Sequence, residues 1–292
     1  MEKKIPVILL NYNTSADCRK CVGFLQTQQG IELEIIIVDN CSQDEDRAAI
    51  AQLCDECGAT FLPVSENKGY NAGNNVGLRY AAEKGYQYAL IANPDMEFPQ
   101  SDYLAKLVAQ AEEQSDVVVW GTDIVTPEGI HQNPIMRDGD WRSSFGWIRE
   151  LLFREREKKE AYDFIDRYDE NHYCAKVSGC CLLVGMDFIK EIGYFDEYPF
   201  LYCEEAILSR QVEQAGKRMY YVAELQAVHR HIASAKGNPI PRFRHLLRSR
   251  LYYIRQYGGD GWWGRTLAIL AMWMYTSVMM MVFRIRKISL GK

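Results

Sequence analysis

Residues 88–95, Tyr-Ala-Leu-Ile-Ala-Asn-Pro-Asp, constrain this chain more than any other stretch. The apolar run stops at an amide, a proline and a carboxylate. A short run bounded by a turn signal reads as a buried strand, and proline has no N–H to give the ladder of a central strand. Asp95 therefore falls just past a strand's carboxyl end. In open α/β sheets ligands bind outside those ends, and a carboxylate there suits a hard divalent cation.

The same grammar is repeated upstream. Ile5–Leu10 is a strand-length run followed by Asn11-Tyr12-Asn13, and Thr14/Ser15 then open a helix through about Gln28. Leu33–Val38 is apolar throughout, as a strand covered on both faces must be, and it ends at Asp39-Asn40. A helix over about Gln43–Cys57 and a short strand Thr60–Val64 follow. Such alternation builds βαβ units, whose right-handed crossovers give a parallel sheet. The composition, 48% hydrophobic and 25% charged over 292 residues, is that of a folded globular chain large enough for one big domain or a domain with an appendage.

Asn67–Gly77 holds three glycines and four asparagines in eleven residues, which predicts a ligand loop leading into a helix over Leu78–Lys84. Glycine lets backbone approach a ligand, asparagine offers donor and acceptor, and a helix amino end favours phosphate. Beyond Asp95 the pattern predicts a helix from about Ser101 to Gln114 and a strand Val117–Trp120. Residues from about 126 to 173 break the alternation and read as an insertion or a mobile acceptor loop over the site, its Trp141, Phe145 and Trp147 stacking on a sugar or, more simply, packing. Order returns with a strand over Lys176–Gly185 and a short helix to Ile192. The stretch Gly193–Glu205 then opens a helix to Gly216 with Leu208, Val212 and Ala215 as its buried stripe. Glu204 and Glu205 fall at that helix's amino end, where acids also simply complement the dipole. A strand Arg218–Val222 then leads to His229.

Charge divides the chain. Residues 242–292 carry ten Lys/Arg against Asp260, a net +9, which leaves −14 on residues 1–241. We read residues 1–240 as the working domain and 241–292 as a basic, apolar helical segment. Arg242–Arg250 interleaves arginine with apolar residues, a membrane-surface pattern. Thr266–Phe283 is uncharged, only marginally long enough to span a bilayer, and favours an in-plane or homodimer-forming helix. Met1-Glu2-Lys3-Lys4 leads directly into the first strand with no secretory pattern, so a cytoplasmic protein at the inner face of the cell membrane is expected. Nine cysteines fit a reducing compartment. Cys18-x-x-Cys21 and Cys54-x-x-Cys57 have zinc-like spacing, but both pairs fall on helices, where i, i+3 positions also face a core.

Taken together, Asn11-Tyr12-Asn13, Ile37–Ser42, Asn67–Gly77, Asn93-Pro94-Asp95, Ser178-Gly179 and Gly193–Glu205 with Gly216 resemble, in this order, the family-2 glycosyltransferases, particularly their bacterial rhamnosyltransferase-like members. The resemblance covers roughly residues 5–235. It implies a GT-A type fold, Rossmann-like with a mostly parallel sheet, here with a C-terminal helical extension. It also implies inverting transfer from a nucleotide-diphosphate sugar, rhamnose as first guess, to a hydroxyl of a glycan or lipid-linked acceptor in surface polysaccharide synthesis. Asp39 and Asn40 then match the base and ribose positions. The Asn67–Asn75 loop, with Gly69 and Asn74, lies near nucleotide and sugar, and Asn11, Asn13 and Asn93 join that nucleotide-sugar site. Asp95 and His229 match the metal positions for Mg2+ or Mn2+. Glu205 matches the general base, with Glu204 as its rival. Three departures stand out: Asn93 replaces a common aspartate, Glu205 is one methylene longer than the usual Asp, and Ile207 and Gln211 replace an aspartate and an arginine.

Other classes fit less well. A sugar-nucleotide pyrophosphorylase needs a Gly-rich, arginine-containing loop after the first strand, and Asn11-Tyr12-Asn13 is not one. A non-catalytic nucleotide-sugar-binding module has no need of Asp95, His229 and an acid pair together. Nothing in the sequence points to nucleic acid.

Overall fold

A computed structural model describes residues 4–138, 141–148, 165–230, 239–259 and 261–290. Its centre is a nine-stranded sheet built from β1 (Lys4–Asn11), β2 (Glu32–Asp39), β3 (Thr60–Pro63), β4 (Tyr88–Ala92), β5 (Met96–Glu97), β6 (Val117–Val125), β7 (His172–Cys174), β8 (Cys181–Gly185) and β9 (Arg218–His229). The order is β3-β2-β1-β4-β8-β6-β9-β5, with β7 on β9. Pairs β1–β2, β1–β4, β2–β3 and β6–β9 are parallel. Strand β8 runs antiparallel to both β4 and β6. Six of these strands thus run the same way, β8 is reversed between β4 and β6, and β5 and β7 are reversed beside β9; β8 begins where β4 ends, Ala92 pairing with Cys181.

Helices cover both faces, as apolar strands such as Val7–Leu10 require. On one face α1 (Ser15–Gln26), α2 (Asp44–Cys57) and α4 (Tyr103–Glu113) bury Leu25, Ile50 and Leu104. On the other, α3 (Tyr70–Glu83), α5 (Met186–Glu191) and α6 (Glu204–Gln214) bury Leu78, Phe188 and Leu208. The zinc-spaced cysteines are core residues of α1 and α2. Cys18, Cys21 and Cys54 are buried, and burial pushes the Cys54 thiol up to about 12. Among the described residues no group of three or more His, Cys, Asp or Glu side chains is placed to hold a metal ion.

The Asn/Gly-rich stretch differs from expectation. Helix α3 begins at Tyr70, so Asn71–Gly77 is its first two turns and not a loop. Composition misleads here because the glycines serve packing. A Cβ on Gly73 would sit 2.4 Å from Leu10 Cδ1, and one on Gly77 2.6 Å from Ile8 Cγ2. They let α3 lie directly on β1.

Two C-terminal helices, α7 (Pro239–Gln256) and α8 (Trp262–Leu290), pack on each other through Leu251, Ile254, Ala268 and Met272. Helix α7 is bonded to the body. Ser249 Oγ donates to the Leu201 carbonyl (2.8 Å), and Tyr252 and Tyr257 both donate to Asp196 Oδ2 (2.7 Å each). Tyr252 stacks on Tyr198 and His245 on Phe200. The C-terminal helices therefore brace the segment that leads into α6. Trp141 and Phe145 pack edge-to-face within a 3-10 turn (Trp141–Phe145), and Trp147 lies against Tyr275 of α8. The charged run 154–160 of the expected insertion lies outside the described residues.

Candidate active site

Strands β1, β2, β4 and β9 all end at one edge of the sheet, and β8 starts there. That edge gathers the residues singled out in the sequence. They form three groups around the turn Ser178-Gly179-Cys180.

The first group is a polar floor after β1 and β2. Asn11, fully buried, donates through Nδ2 toward Asp39 Oδ1 (3.0 Å), Ser42 Oγ (3.0 Å) and Asp46 Oδ2 (2.7 Å). Its Oδ1 accepts from the Thr14 amide and hydroxyl, satisfying donors at the start of α1. Asp39 is also fully buried, and its other oxygen accepts from Arg47 Nε (2.9 Å) and the Ser42 amide (3.3 Å). Partial burial raises the Asp46 carboxyl, but hydrogen bonds from Asn11 and Ser15 outweigh it and hold the group below its usual pKa. Asn13 adopts φ +58° and accepts the Gln43 amide at the start of α2. Asn40 donates to Asn67 Oδ1 (3.1 Å), which also accepts the Gly69 amide (3.0 Å). Asn11 and Asp39 are thus buried in this network, whereas Asn13 is exposed and Asn67 half-buried.

Asn74 lies on α3 with no exposed surface, its Nδ2 donating to the Tyr70 carbonyl one turn back (3.1 Å). Expected near the nucleotide as part of a loop, it is instead inside the helix packing, and its neighbour Asn75 ties α3 to Phe195 and Glu197. Gly69 is the point of contact between halves: its φ is +108°, and Tyr70 N donates to the Phe200 carbonyl (3.0 Å).

The second group is Asp95 and His229. Strand β5 pairs antiparallel with β9, Met96 facing His229, which brings His229 Nε2 to 3.3 Å from Asp95 Oδ1. Gln132 Oε1 lies 2.9 Å from Nδ1 and accepts its proton, aiming Nε2 at the carboxylate. Burial disfavours the imidazolium, but Asp95 and Cys180 outweigh it and raise the His229 pKa to about 10. Two ligand atoms at right angles around a cation with bonds near 2.1 Å stand about 3.0 Å apart. The observed spacing and oxygen/nitrogen donor set therefore fit Mg2+ or Mn2+.

The third group is the acid pair opening α6. Tyr202 (φ +75°) and Cys203 (φ +69°) are consecutive left-handed residues, which turn the chain sharply so that Glu204 and Glu205 face a small cavity of about 20 Å³ with Tyr70, Asn71 and Gly179. Glu205 Oε1 accepts the Gly179 amide (3.3 Å). Burial, then the charge of Glu205, raises the Glu204 pKa to about 7.

Tyr70, Arg47 and Gln132 were not apparent from sequence as site residues. Tyr70 joins the groups: its hydroxyl lies 2.7 Å from the Gly179 carbonyl and 3.0 Å from Asn93 Oδ1, while the Asn93 amide donates to the Cys180 carbonyl (2.7 Å). One turn thus carries Glu205 on one side and the Asn93–Asp95 corner on the other. Its position at the head of α3, immediately after Gly69, was the available signal for Tyr70.

Residues 7–179 match the Glycosyl transferase family 2 profile, and the chain belongs to that family. It is 23% identical over 278 residues to an N-acetylglucosaminyl-diphospho-decaprenol L-rhamnosyltransferase of Mycobacterium tuberculosis, covering 90% of this chain and 87% of the relative. It is 26% identical to the low-salt glycan biosynthesis hexosyltransferase Agl10 of Haloferax volcanii over 69% of this chain, which is 59% of that relative's length. In structure it is similar to the mannosyltransferase PcManGT of Pyrobaculum calidifontis, solved with GDP-Man and Mn2+ (TM-score 0.56, 16% identity, 95% of this chain and 76% of that one). It is also similar to GalNAc-T7, solved with UDP, GalNAc and Mn2+ (TM-score 0.61, 14% identity, 87% of this chain and 48% of that one). The fold is GT-A.

Proposed function

We propose that this chain transfers a sugar, with inversion, from a nucleotide-diphosphate donor to a hydroxyl of a glycan or lipid-linked acceptor in surface polysaccharide synthesis. Rhamnose is the first donor to test, because two named relatives, that of M. tuberculosis and WbbL of Escherichia coli, are rhamnosyltransferases. The observation carrying this reading is the turn at Gly179-Cys180, which bonds to Glu205 on one side and to Asn93 beside Asp95 on the other. A base for the nucleophile and a holder for the leaving group thus meet at one place.

In this reading Asp39, Asn40, Asn13, Asn67 and Gly69 form the donor wall, with Asn11 and Asn74 holding its shape. Glu205 accepts the proton of the acceptor hydroxyl as its oxygen attacks the anomeric carbon, and the bond to the diphosphate breaks on the opposite face. Glu204, with a pKa near neutrality, moderates like-charge repulsion beside its neighbour. Asp95 and His229 would hold Mg2+ or Mn2+, which neutralises charge growing on the departing diphosphate.

The C-terminal helices belong at an anionic membrane surface. Within α8 the window Trp262–Val282 is long and apolar enough to cross a bilayer, yet Ala268, Ala271 and Met272 are buried against the protein, which supports an in-plane orientation. Trp262, Trp263 and Trp273 are all more than half exposed, the position of interfacial anchors. Such a surface is the inner face of a bacterial cell membrane, and a second copy of the chain is its competitor for the same apolar face. Incubation with a panel of nucleotide sugars, Mn2+ and a membrane fraction should release nucleoside diphosphate with one donor. Release of inorganic diphosphate, or no turnover with any donor, would refute the reading.

A further inference from the structure

The phenol of Tyr70 lies between two oxygens and has one proton to give. Its Oη is 2.7 Å from the Gly179 carbonyl and 3.0 Å from Asn93 Oδ1. A carbonyl can only accept, so the shorter contact takes the proton. Burial, and then the neighbouring Cys180 and Glu205, hold the Tyr70 pKa well above its ordinary value, so that proton stays in place. The contact with Asn93 then sets one acceptor against another.

A carboxamide resolves this conflict. The oxygen and nitrogen of an amide are nearly the same size, so turning Asn93 over about its Cβ–Cγ bond keeps the shape of the side chain. Nδ2 then stands 3.0 Å from the phenol oxygen, a normal N–H···O length. The turn sacrifices nothing, because Nδ2 in its other place makes no hydrogen bond among the described residues. The second amide near the phenol, that of Asn74, donates instead to the Tyr70 backbone carbonyl (3.1 Å). An ionised aspartate at position 93 would have no proton to give.

Both neighbours of the phenol belong to the site. Its ring lines the small cavity with Glu204 and Glu205, and its backbone N–H donates to the Phe200 carbonyl (3.0 Å). The residue that receives its proton, Gly179, gives its own amide to Glu205 Oε1 (3.3 Å), and the next carbonyl, that of Cys180, accepts the backbone N–H of Asn93 (2.7 Å). The turn is therefore pinned at successive carbonyls, and Tyr70 supplies one of the two pins.

We propose that Tyr70 is a positioning residue for Glu205: Asn93 Nδ2 donates to the Tyr70 hydroxyl, the hydroxyl donates to the Gly179 carbonyl, and this chain fixes the turn that holds the carboxylate. The inference rests on the glycosyltransferase reading for its catalytic consequence. It also accounts for an amide at position 93, where a donor is required.

The test follows the side-chain amides of Asn93 and Asn13 by heteronuclear NMR of the full chain labelled at asparagine, each signal assigned by its loss in the aspartate variant. Held by the phenol, the Asn93 amide should exchange with solvent about tenfold more slowly than that of exposed Asn13, and Tyr70→Phe should bring it to the Asn13 rate. Equal exchange of Asn93 in the parent and Tyr70→Phe would overturn the proposal. With a donor that the parent turns over, Tyr70→Phe should lower kcat about tenfold to a hundredfold and leave KM for the nucleotide sugar within about twofold. A parental kcat in that variant would overturn the positioning role. The exchange measurement needs no turnover: an amide released by Tyr70→Phe supports the link even if no donor is turned over, and active enzyme with an unprotected Asn93 amide refutes it alone.

Discussion

Gly69→Ala tests whether the two halves of the site are held together where the structure places their contact. Gly69 has φ +108° and ψ −179°, a region open essentially to glycine alone. Forcing alanine into it costs about 1–3 kcal/mol. The new Cβ would also stand 2.4 Å from the Phe200 carbonyl oxygen and 2.7 Å from Phe200 Cα, backbone atoms that cannot swing aside. Relieving that contact costs about another 1–3 kcal/mol. The sum, about 2–6 kcal/mol, lowers Tm by about 4–12 °C at roughly 2 °C per kcal/mol for a chain of this size. Displacing Phe200 by about half an ångström drags the turn at Tyr202-Cys203 that aims Glu204 and Glu205, so the transfer rate should fall about tenfold to a hundredfold beyond the loss of folded protein. The control is Gly58→Ala, at φ +73° with nothing within 4 Å of its Cβ, which should cost only about 1–2 kcal/mol and leave transfer intact. Thermal denaturation and donor turnover measure both. Equal Tm values for the two variants, with parental turnover in Gly69→Ala, would refute the reasoning.

Three further outcomes are expected. Because the folded state raises the Glu204 pKa from 4.5 to about 7, the folded chain binds this proton more tightly than the unfolded one, and stability falls as pH rises from about 4.5 to 7. Glu204→Gln should remove that slope and be about 1–3 kcal/mol more stable than the parent at pH 8, with little difference at pH 4; denaturant titrations at both pH values decide it. Asp95→Ala should abolish metal-dependent nucleoside diphosphate binding measured by calorimetry with and without chelator, while leaving circular dichroism unchanged, since Asp95 lies at a strand end; equal affinity under both conditions in parent and variant would remove it from the metal site. Trp262→Ser/Trp263→Ser should weaken sedimentation with anionic vesicles at least about tenfold without altering Tm, because both side chains are exposed; unchanged sedimentation would place the membrane contact elsewhere.

Much of the sheet was legible because its strands are short, apolar and cut off by Asn or Asp, and the parallel pairs β1–β2 and β2–β3 follow from that alternation. The reversal of β8 was not: an apolar run five residues long carries no mark of direction, and only its pairing with β4 and β6 reveals it. Helix α3 was misread because asparagine and glycine signal loops locally, whereas Gly73 and Gly77 answer to Leu10 and Ile8 across the fold. Asp95 and His229 were both visible as candidates, yet their meeting depends on β9 running unbroken from Arg218 to His229, longer than its apolar half suggests. The bracing of Asp196 by Tyr252 and Tyr257 joins residues more than fifty apart and leaves no pattern in the sequence.

The most direct measurement is donor binding and transfer in Glu205→Gln, using the nucleotide sugar that the parent turns over. The amide keeps the shape of the side chain at the Gly179 amide and removes only the ability to take a proton. Donor affinity in Mn2+ should match the parent, while nucleoside diphosphate release in the presence of acceptor falls about a hundredfold to ten-thousandfold. Release near the parental rate would contradict Glu205 as the base, and equally slow release from Glu204→Gln with a normal Glu205→Gln would move that role to Glu204.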